Sequence, residues 1–436
     1  MTLAASVVTE LRLAAFKSFR AQRLPLSDLS LLVGRNGSGK SNALDGLSVL
    51  ASLAQGEPVR DALDGGREGP AIRGGAIGCA PFGESSFALG CSVRTGENTV
   101  DLDLEVQTEP EVQILRERLA LNGEDLLVTE PPNADSSDVV ATWSHAGAEP
   151  HRRETFRASR LLATQVLARI PATRAGQRIH LAAAQVLAAL RGVFVLDPVP
   201  HTMRGYVPRR DILLRRHAEN LSATIASLLE RPETRERLML AVDKLNEHEV
   251  VDVRTSASAL DDVTLTLFER FGEQTYPVPA RMMSDGTLRF LAILATLMQA
   301  PTIDTMPEPL AAEDALGQTH VVIEELENGL HASQASMLVG LMRDEVERRR
   351  VRVLATAHSP ALLDALSGAE HRNVVVCQRH PDGRSTLTRL VDLPAYVDVV
   401  ARGGLGRAVV QDRLRDRQAP ANPAAALEDL FGERAS

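Results

Sequence analysis

Gly34-Arg35-Asn36-Gly37-Ser38-Gly39-Lys40-Ser41 is the stretch that decides how this 436-residue chain folds. Its glycines let the backbone curl so that successive N–H groups converge on phosphate oxygens. A helix N-terminus behind the loop adds its positive end to the same point. In this pattern the lysine, Lys40, reaches the β and γ phosphates, and the Ser41 hydroxyl ligates Mg²⁺. The motif requires a strand before it and a helix after it. Residues 29–33, Leu-Ser-Leu-Leu-Val, read as that strand. Residues 40–53 read as that helix, with Leu44, Leu47, Leu50 and Leu53 on one face. ATP and Mg²⁺ are therefore the expected ligands. The nucleotide-binding residues are Gly34, Arg35, Asn36, Gly37, Ser38, Gly39, Lys40, Ser41 and Asn42.

Three further stretches carry chemistry. Val321-Val322-Ile323-Glu324-Glu325 is an apolar strand ending in two carboxylates, as a Mg-nucleotide site needs beside its loop. Glu324 would hold Mg²⁺ through its water shell, and Glu325 would orient and polarise the attacking water. Ser284-Asp285-Gly286-Thr287 opens an apolar helix; Ser284 and Gly286 there make either an anion site or only an N-cap. Ala355-Thr356-Ala357-His358-Ser359-Pro360 puts a histidine just past a strand. A lone His is more often structural, but the end of a parallel strand is where α/β sites form.

Around these motifs the composition is that of an ordinary soluble protein, 44% hydrophobic and 24% charged. Aromatic residues make up 3%, with Trp143 the single tryptophan, so the core must be aliphatic. Stacking on nucleobases is not expected as a main recognition device. The net charge of −9 leaves only local patches for any nucleic acid. Cys79, Cys91 and Cys377 have no metal spacing and fit reduced, buried thiols. No signal peptide and no apolar run of membrane-spanning length is read, so a cytoplasmic protein without membrane contact is expected.

Strands are predicted over residues 7–13, 24–33, 87–93, 100–106, 192–196, 250–253, 263–267, 321–324, 352–356 and 374–377. Helices are predicted over 184–190, 219–230, 233–245, 284–299, 333–349 and 360–366, and residues 130–153 read as an exposed loop. Strand and helix alternate in the last third, which argues for parallel α/β organisation.

Glycine loop, Ser-Asp-Gly, strand-Glu-Glu and strand-His follow one another in the order found in ABC-type ATPases. The chain resembles the branch containing RecF, Rad50, SMC and OLD proteins. Within it the resemblance is nearest to stand-alone ATPases of the AAA15/AAA21 type, some of which serve defence systems. The stretches that carry it are Phe16-Lys17-Ser18-Phe19, residues 34–42, Leu196-Asp197-Pro198, Met203-Arg204, residues 283–290, residues 324–331 and residues 356–360. The resemblance implies an α/β fold: an ABC-type P-loop head of mixed sheet and helices with an inserted, mainly helical arm. The implied division is 1–107 for the N-terminal lobe, 108–270 for the arm, 271–412 for the C-terminal lobe and 413–436 for a tail. It also implies a homodimer that sandwiches ATP, with Ser284 of one copy meeting the γ-phosphate on the loop of the other. Asn328 to His331 would run across that interface, and His358 would sense the γ-phosphate. Lys40, Glu325 and His358 are then the catalytic residues, and Ser41 and Glu324 the metal residues.

The chain departs from the pattern at Leu326 and Ala332, where relatives often carry proline, and at Asp285, where transporters carry glycine. A glutamine for Mg²⁺ is expected in such proteins; Gln107 is the candidate, with a plain surface glutamine the alternative. Prolines 171, 198, 200, 208 and 232 exclude a long coiled coil in the arm. Two basic clusters lie there: Arg152, Arg153, Arg157, Arg160 and Arg169, then Arg204, Arg209, Arg210, Arg215 and Arg216. They would meet DNA phosphates, a partner protein or only solvent. The favoured reading is an ATPase that regulates a separate effector, such as a nuclease, in antiphage defence or DNA maintenance. RecF-like direct DNA binding and a nucleotide-sensing scaffold with little turnover are the alternatives. Too few residues follow His358 for a Toprim nuclease, and the large arm argues against a transport ATPase.

Overall fold

The computed structural model describes residues 5–65, 72–131, 136–143, 152–245, 249–299, 317–328, 332–349, 351–401 and 405–410. The first half of the chain is mostly antiparallel sheet. It contains β1 (Ser6–Phe16), β2 (Phe19–Pro25), β3 (Leu29–Val33), β4 (Ser86–Thr95), β5 (Asn98–Gln107), β6 (Gln113–Leu121), β7 (Glu124–Thr129), β8 (Asp138–Trp143) and β9 (Arg152–Arg157). β10 (Val193–Leu196) comes next, and β11 (Val207–Pro208), β12 (Val250–Ala257), β13 (Asp262–Phe271) and β14 (Gln274–Pro279) form a separate small sheet. β15 (His320–Ile323), β16 (Arg352–Ala357), β17 (Val374–Arg379) and β18 (Ser385–Arg389) complete the large sheet of 14 strands. Its order is β10-β15-β16-β3-β17-β18-β2-β1-β4-β5-β6-β7-β8-β9.

β10, β15, β16, β3 and β17 are mutually parallel, so their carboxyl ends share one edge. That edge is where α/β sheets bind ligands. The parallel strands are covered on both faces, and successive residues enter different cores. Leu32, Val322, Leu354 and Val375 pack with one cluster, and Leu31, Val33, Val321, Ile323, Val353 and Val376 with the other. Near-continuous apolar runs in these strands follow from that double burial.

The helices are α1 (Lys40–Ala54), α2 (Val59–Asp64), α3 (Val166–Arg169), α4 (Arg174–Arg191), α5 (Leu221–Leu229), α6 (Pro232–Leu245), α7 (Asp285–Gln299), α8 (Ala332–Arg349), α9 (Pro360–Asp364), α10 (Tyr396–Ala401) and α11 (Leu405–Val410). α1 and α4 cover the first face through Leu44, Leu47, Leu50, Ile179, Val186 and Leu190. α5, α7 and α8 cover the second through Ile225, Leu291, Leu294 and Met342. Among the described residues no helix is long and apolar enough to cross a membrane.

Several expectations shift. The single strand read over 24–33 is two, because the chain turns at Ser27, whose N–H donates to Ser30 Oγ at 2.8 Å. Residues 130–153, read as loop, contain β8 and the start of β9. Val139, Ala141 and Trp143 are buried while Val140 and Thr142 are partly exposed, an alternation hidden by the polar residues around it. The arm anticipated as mainly helical is half sheet: β6 to β9 extend the antiparallel strands begun by β4 and β5. The Asn122-Gly123 turn joins β6 to β7, with positive φ at both residues as such a hairpin needs. The small strands β14 and β18 carry no sequence pattern that announces them. Residues 329–331 and the tail over 413–436 lie outside the described residues.

Candidate nucleotide site

The loop from Gly34 to Ser41 leaves the carboxyl end of β3 and turns directly into α1. Glycine is required at two of its positions. A side chain on Gly34 would meet Cys377 O at 2.3 Å. Gly39 has φ +115°, and a Cβ there would meet Ser385 Oγ at 2.6 Å. Gly39 is also the N-cap of α1 and gives no side-chain cap, so the first-turn N–H groups stay available to an anion.

Lys40 is buried, and its Nζ donates to Gly34 O at 2.7 Å and Arg35 O at 3.0 Å. Burial draws its ammonium below the usual lysine range, against the opposing pull of Glu327, Glu325 and Glu324. Ser38 Oγ is buried with no hydrogen-bond partner, a polar atom aimed into the loop.

β15 lies beside β16, and β16 beside β3, so the acids at the end of β15 come level with the loop. Ser41 Oγ donates to Glu324 Oε1. A hydroxyl and a carboxylate in contact are the hard oxygen donors that Mg²⁺ takes. Glu325 has φ +51°, a left-handed backbone that costs a non-glycine residue about 1–2 kcal/mol. Three hydrogen bonds hold it there. Its N–H donates to Thr356 Oγ1 at 2.8 Å, Asn328 N–H to Glu325 O at 2.9 Å, and Asn328 Nδ2 to Glu325 Oε2 at 2.9 Å. His358 follows β16 with its ring half exposed.

Two residues of this site were not anticipated. Glu327 is buried, and its Oε1 accepts the N–H groups of His358 and Ser359 while its Oε2 has no partner. Arg73 reaches the site from before β4. Its Nη1 donates to Glu324 Oε1 at 3.0 Å and its Nη2 to Ser41 O at 3.2 Å and Asp45 Oδ1 at 3.0 Å. Lys17 Nζ donates to the same Asp45 at 2.8 Å. The third acid in Glu324-Glu325-Leu326-Glu327 was the visible signal for Glu327; nothing local marks Arg73.

Other candidates fall elsewhere. Ser284 is exposed at the start of α7, where its Oγ accepts Thr287 N–H at 3.0 Å as an N-cap, and the buried Gly286 lies in the first turn. Ser284 has no hydrogen bond to the glycine loop of its own chain. Gln107 ends β5 and takes a 3.5 Å hydrogen bond from Gln113.

Most of the arm's arginines are committed. Arg204 donates to Met283 O at 2.9 Å and pairs with Asp285, Arg209 pairs with Asp261 and Arg215 with Asp211. Arg216 Nε is buried without a partner, and no ion pair involves Arg210 among the described residues. Arg153 pairs with Glu130, Arg157 with Asp138, Arg160 donates to Gly56 O, and Arg152 stacks on Trp143. Arg169 closes α3.

A family model described as "AAA domain, putative AbiEii toxin, Type IV TA system" matches residues 29–364. No curated protein matches the chain. Among solved structures the chain is similar to an SMC head bound to the C-terminal winged-helix domain of ScpA. That pair is 13% identical, with 88% of this chain and 97% of the other covered at a TM-score of 0.47. It is also similar to the SMC head domain from Thermotoga maritima (12% identity, 88% and 98% covered, TM-score 0.41). The recombination mediator protein RecF in its RecF-ATPrS structure gives 12% identity, 88% and 99% covered and a TM-score of 0.39.

Proposed function

Because the chain belongs to the AAA-domain family whose model spans residues 29–364, we propose that it binds and hydrolyses ATP with Mg²⁺ on the loop from Gly34 to Ser41. The observation that carries this reading is the contact between Ser41 Oγ and Glu324, with Glu325 fixed next to it at the end of β15. Mg²⁺ bound there would neutralise charge on the β and γ phosphates.

The residues divide the remaining work. Loop N–H groups and the start of α1 hold the phosphates, and Lys40 exchanges its loop carbonyls for phosphate oxygens. Glu325 accepts a proton from the attacking water and orients it, its position set by Thr356 and Asn328. His358 faces the γ-phosphate from the end of β16. Ser284 serves a second copy of the chain: it is exposed, presented at a helix N-terminus and not used by its own loop. ATP thereby becomes a ligand with different affinities for monomer and dimer.

The dimer regulates a separate effector protein. The family's link to toxin–antitoxin systems supports such a role in defence. Ion pairing of Arg204, Arg209 and Arg215 with carboxylates of the chain weighs against DNA phosphates as their partners. Phosphate release from ATP tests the catalytic reading: it should need Mg²⁺ and be lost in Lys40→Ala. Unchanged release in that variant would refute it.

A further inference from the structure

The glycine loop is tied to two turns that open onto a cavity. Asn42 Nδ2 donates to Ser18 Oγ at 3.0 Å in the β1–β2 turn. Ser385 Oγ, at the start of β18, lies 2.9 Å from Ser18 Oγ and donates to Ser38 O at 2.7 Å. Beyond these contacts is a cavity of about 1330 Å³ whose lining includes Ser18, Asn42, Arg379 and Asp382 together with Ile77 and Phe82. Pockets for small molecules commonly run to roughly 300–1,000 Å³, so a nucleoside fits with room to spare.

Charge and apolar surface are arranged unequally in it. Lys17 and Arg73 are held by Asp45, and Arg20 by Glu84 at 2.8 Å. Arg379 differs: its Nη1 donates to Ser385 Oγ at 3.4 Å, and it has no carboxylate partner among the described residues. Phe82 is fully exposed and Ile77 is 64% exposed, in a chain with only ten phenylalanines, five of which rank among the largest fully buried side chains.

We infer that this cavity takes the nucleoside of the bound nucleotide, with the base against Phe82 and Arg379 facing the ribose and its 5′ phosphate. The inference rests on the proposed ATP reading, and it fixes which way the nucleotide lies: phosphates toward Glu324, base toward residues 77–84. Scarce aromatics argued against stacking along a nucleic acid, but a mononucleotide needs one ring. Stacking accepts any base with a π-face, so selectivity follows ring size: ATP and GTP bind alike, and CTP and UTP more weakly.

Calorimetric titration of the full chain with ATP and with inorganic tripolyphosphate, each with Mg²⁺, separates the two halves of the ligand. Phe82 is on the surface, so Phe82→Ala leaves the fold alone. That variant should weaken ATP about 10-fold and leave tripolyphosphate unchanged. Arg379→Ala should weaken ATP in the same direction. Phe82→Trp should bind ATP as the wild type does, its indole fluorescence quenched by ATP and not by tripolyphosphate. Equal ATP affinity in wild type and Phe82→Ala, or equal losses for both ligands, would overturn the inference and leave the ATPase reading standing. Failure of the wild type to bind either ligand would overturn both.

Discussion

Glu327 Oε1 lies 2.6 Å from Ser359 N and 3.2 Å from His358 Nδ1, and it also accepts the backbone N–H of His358. One buried carboxylate at the end of β15 therefore fixes the direction in which the histidine loop leaves β16. The two acids before it, Glu324 and Glu325, carry the proposed metal and water roles, so the four residues from Glu324 to Glu327 join both halves of the proposed site.

Removing that carboxylate takes the acceptor from two part-buried N–H groups, those of His358 and Ser359, at about 1 kcal/mol for each lost hydrogen bond. Glu327→Ala should lose stability in denaturant melts and slow ATP turnover about 10-fold or more, with KM little changed. Glu327→Gln keeps an acceptor oxygen and should retain stability. An Ala variant with wild-type turnover would remove the positioning role.

Arg73 is held mainly by Asp45, which its Nε and Nη2 both reach; its 3.0 Å contact with Glu324 is half exposed and worth little by itself. Its guanidinium is thus kept beside Ser41 and free to turn toward phosphate. Arg73→Ala should weaken Mg-ATP about 10-fold, the loss of one charge-assisted hydrogen bond. Asp45→Asn should move affinity the same way. Equilibrium titration with a fluorescent ATP analogue measures both, and tighter binding in either variant would contradict the assignment.

Glu117 on β6 is fully buried and accepts Leu162 N–H and Ala163 N–H, each at 2.7 Å. Burial pushes its carboxyl up from 4.5 to about 7, and the two donors only partly oppose that. The folded chain therefore keeps this proton where the unfolded chain has lost it. Stability from this group is present below pH 4.5 and lost as pH rises to about 7. Glu117→Gln should flatten that part of the profile of denaturation midpoint against pH. Parallel profiles for the two proteins would count against it.

Glu325→Gln should bind ATP normally and turn over at a small fraction of the wild-type rate, because the amide cannot take the proton. With hydrolysis blocked, the ATP-bound dimer should persist in mass measurements on the eluting peak. Full activity in this variant would assign the base elsewhere.

What the sequence disclosed follows from how local each constraint is. Phosphate binding demands N–H groups from consecutive residues, so Gly34 to Ser41 stood out, and α1 begins at Lys40 as read. Glu324, Glu325 and His358 were visible because apolar strands end just before them. Arg73 was not, because it gains its place by contact with Glu324, far off in sequence, and Glu327 showed only as a third acid whose contacts with His358 and Ser359 the sequence does not reveal. The strands β8 and β9 were missed for a related reason. They are short additions at the edge of the sheet, and neighbouring Pro, Asp and Ser residues mask their alternation. The break between β2 and β3 rests on a serine turn that looks apolar-flanked and continuous in sequence.

In the proposed dimer the loop of one chain is completed by Ser284 of another. Lys40→Ala and Ser284→Arg should each be inactive alone. Mixed, they form heterodimers with one intact site, which pairs the loop of the Ser284→Arg chain with Ser284 of the Lys40→Ala chain. Random mixing then restores about a quarter of wild-type phosphate release at equal total protein. A mixture no more active than its components would contradict the composite site.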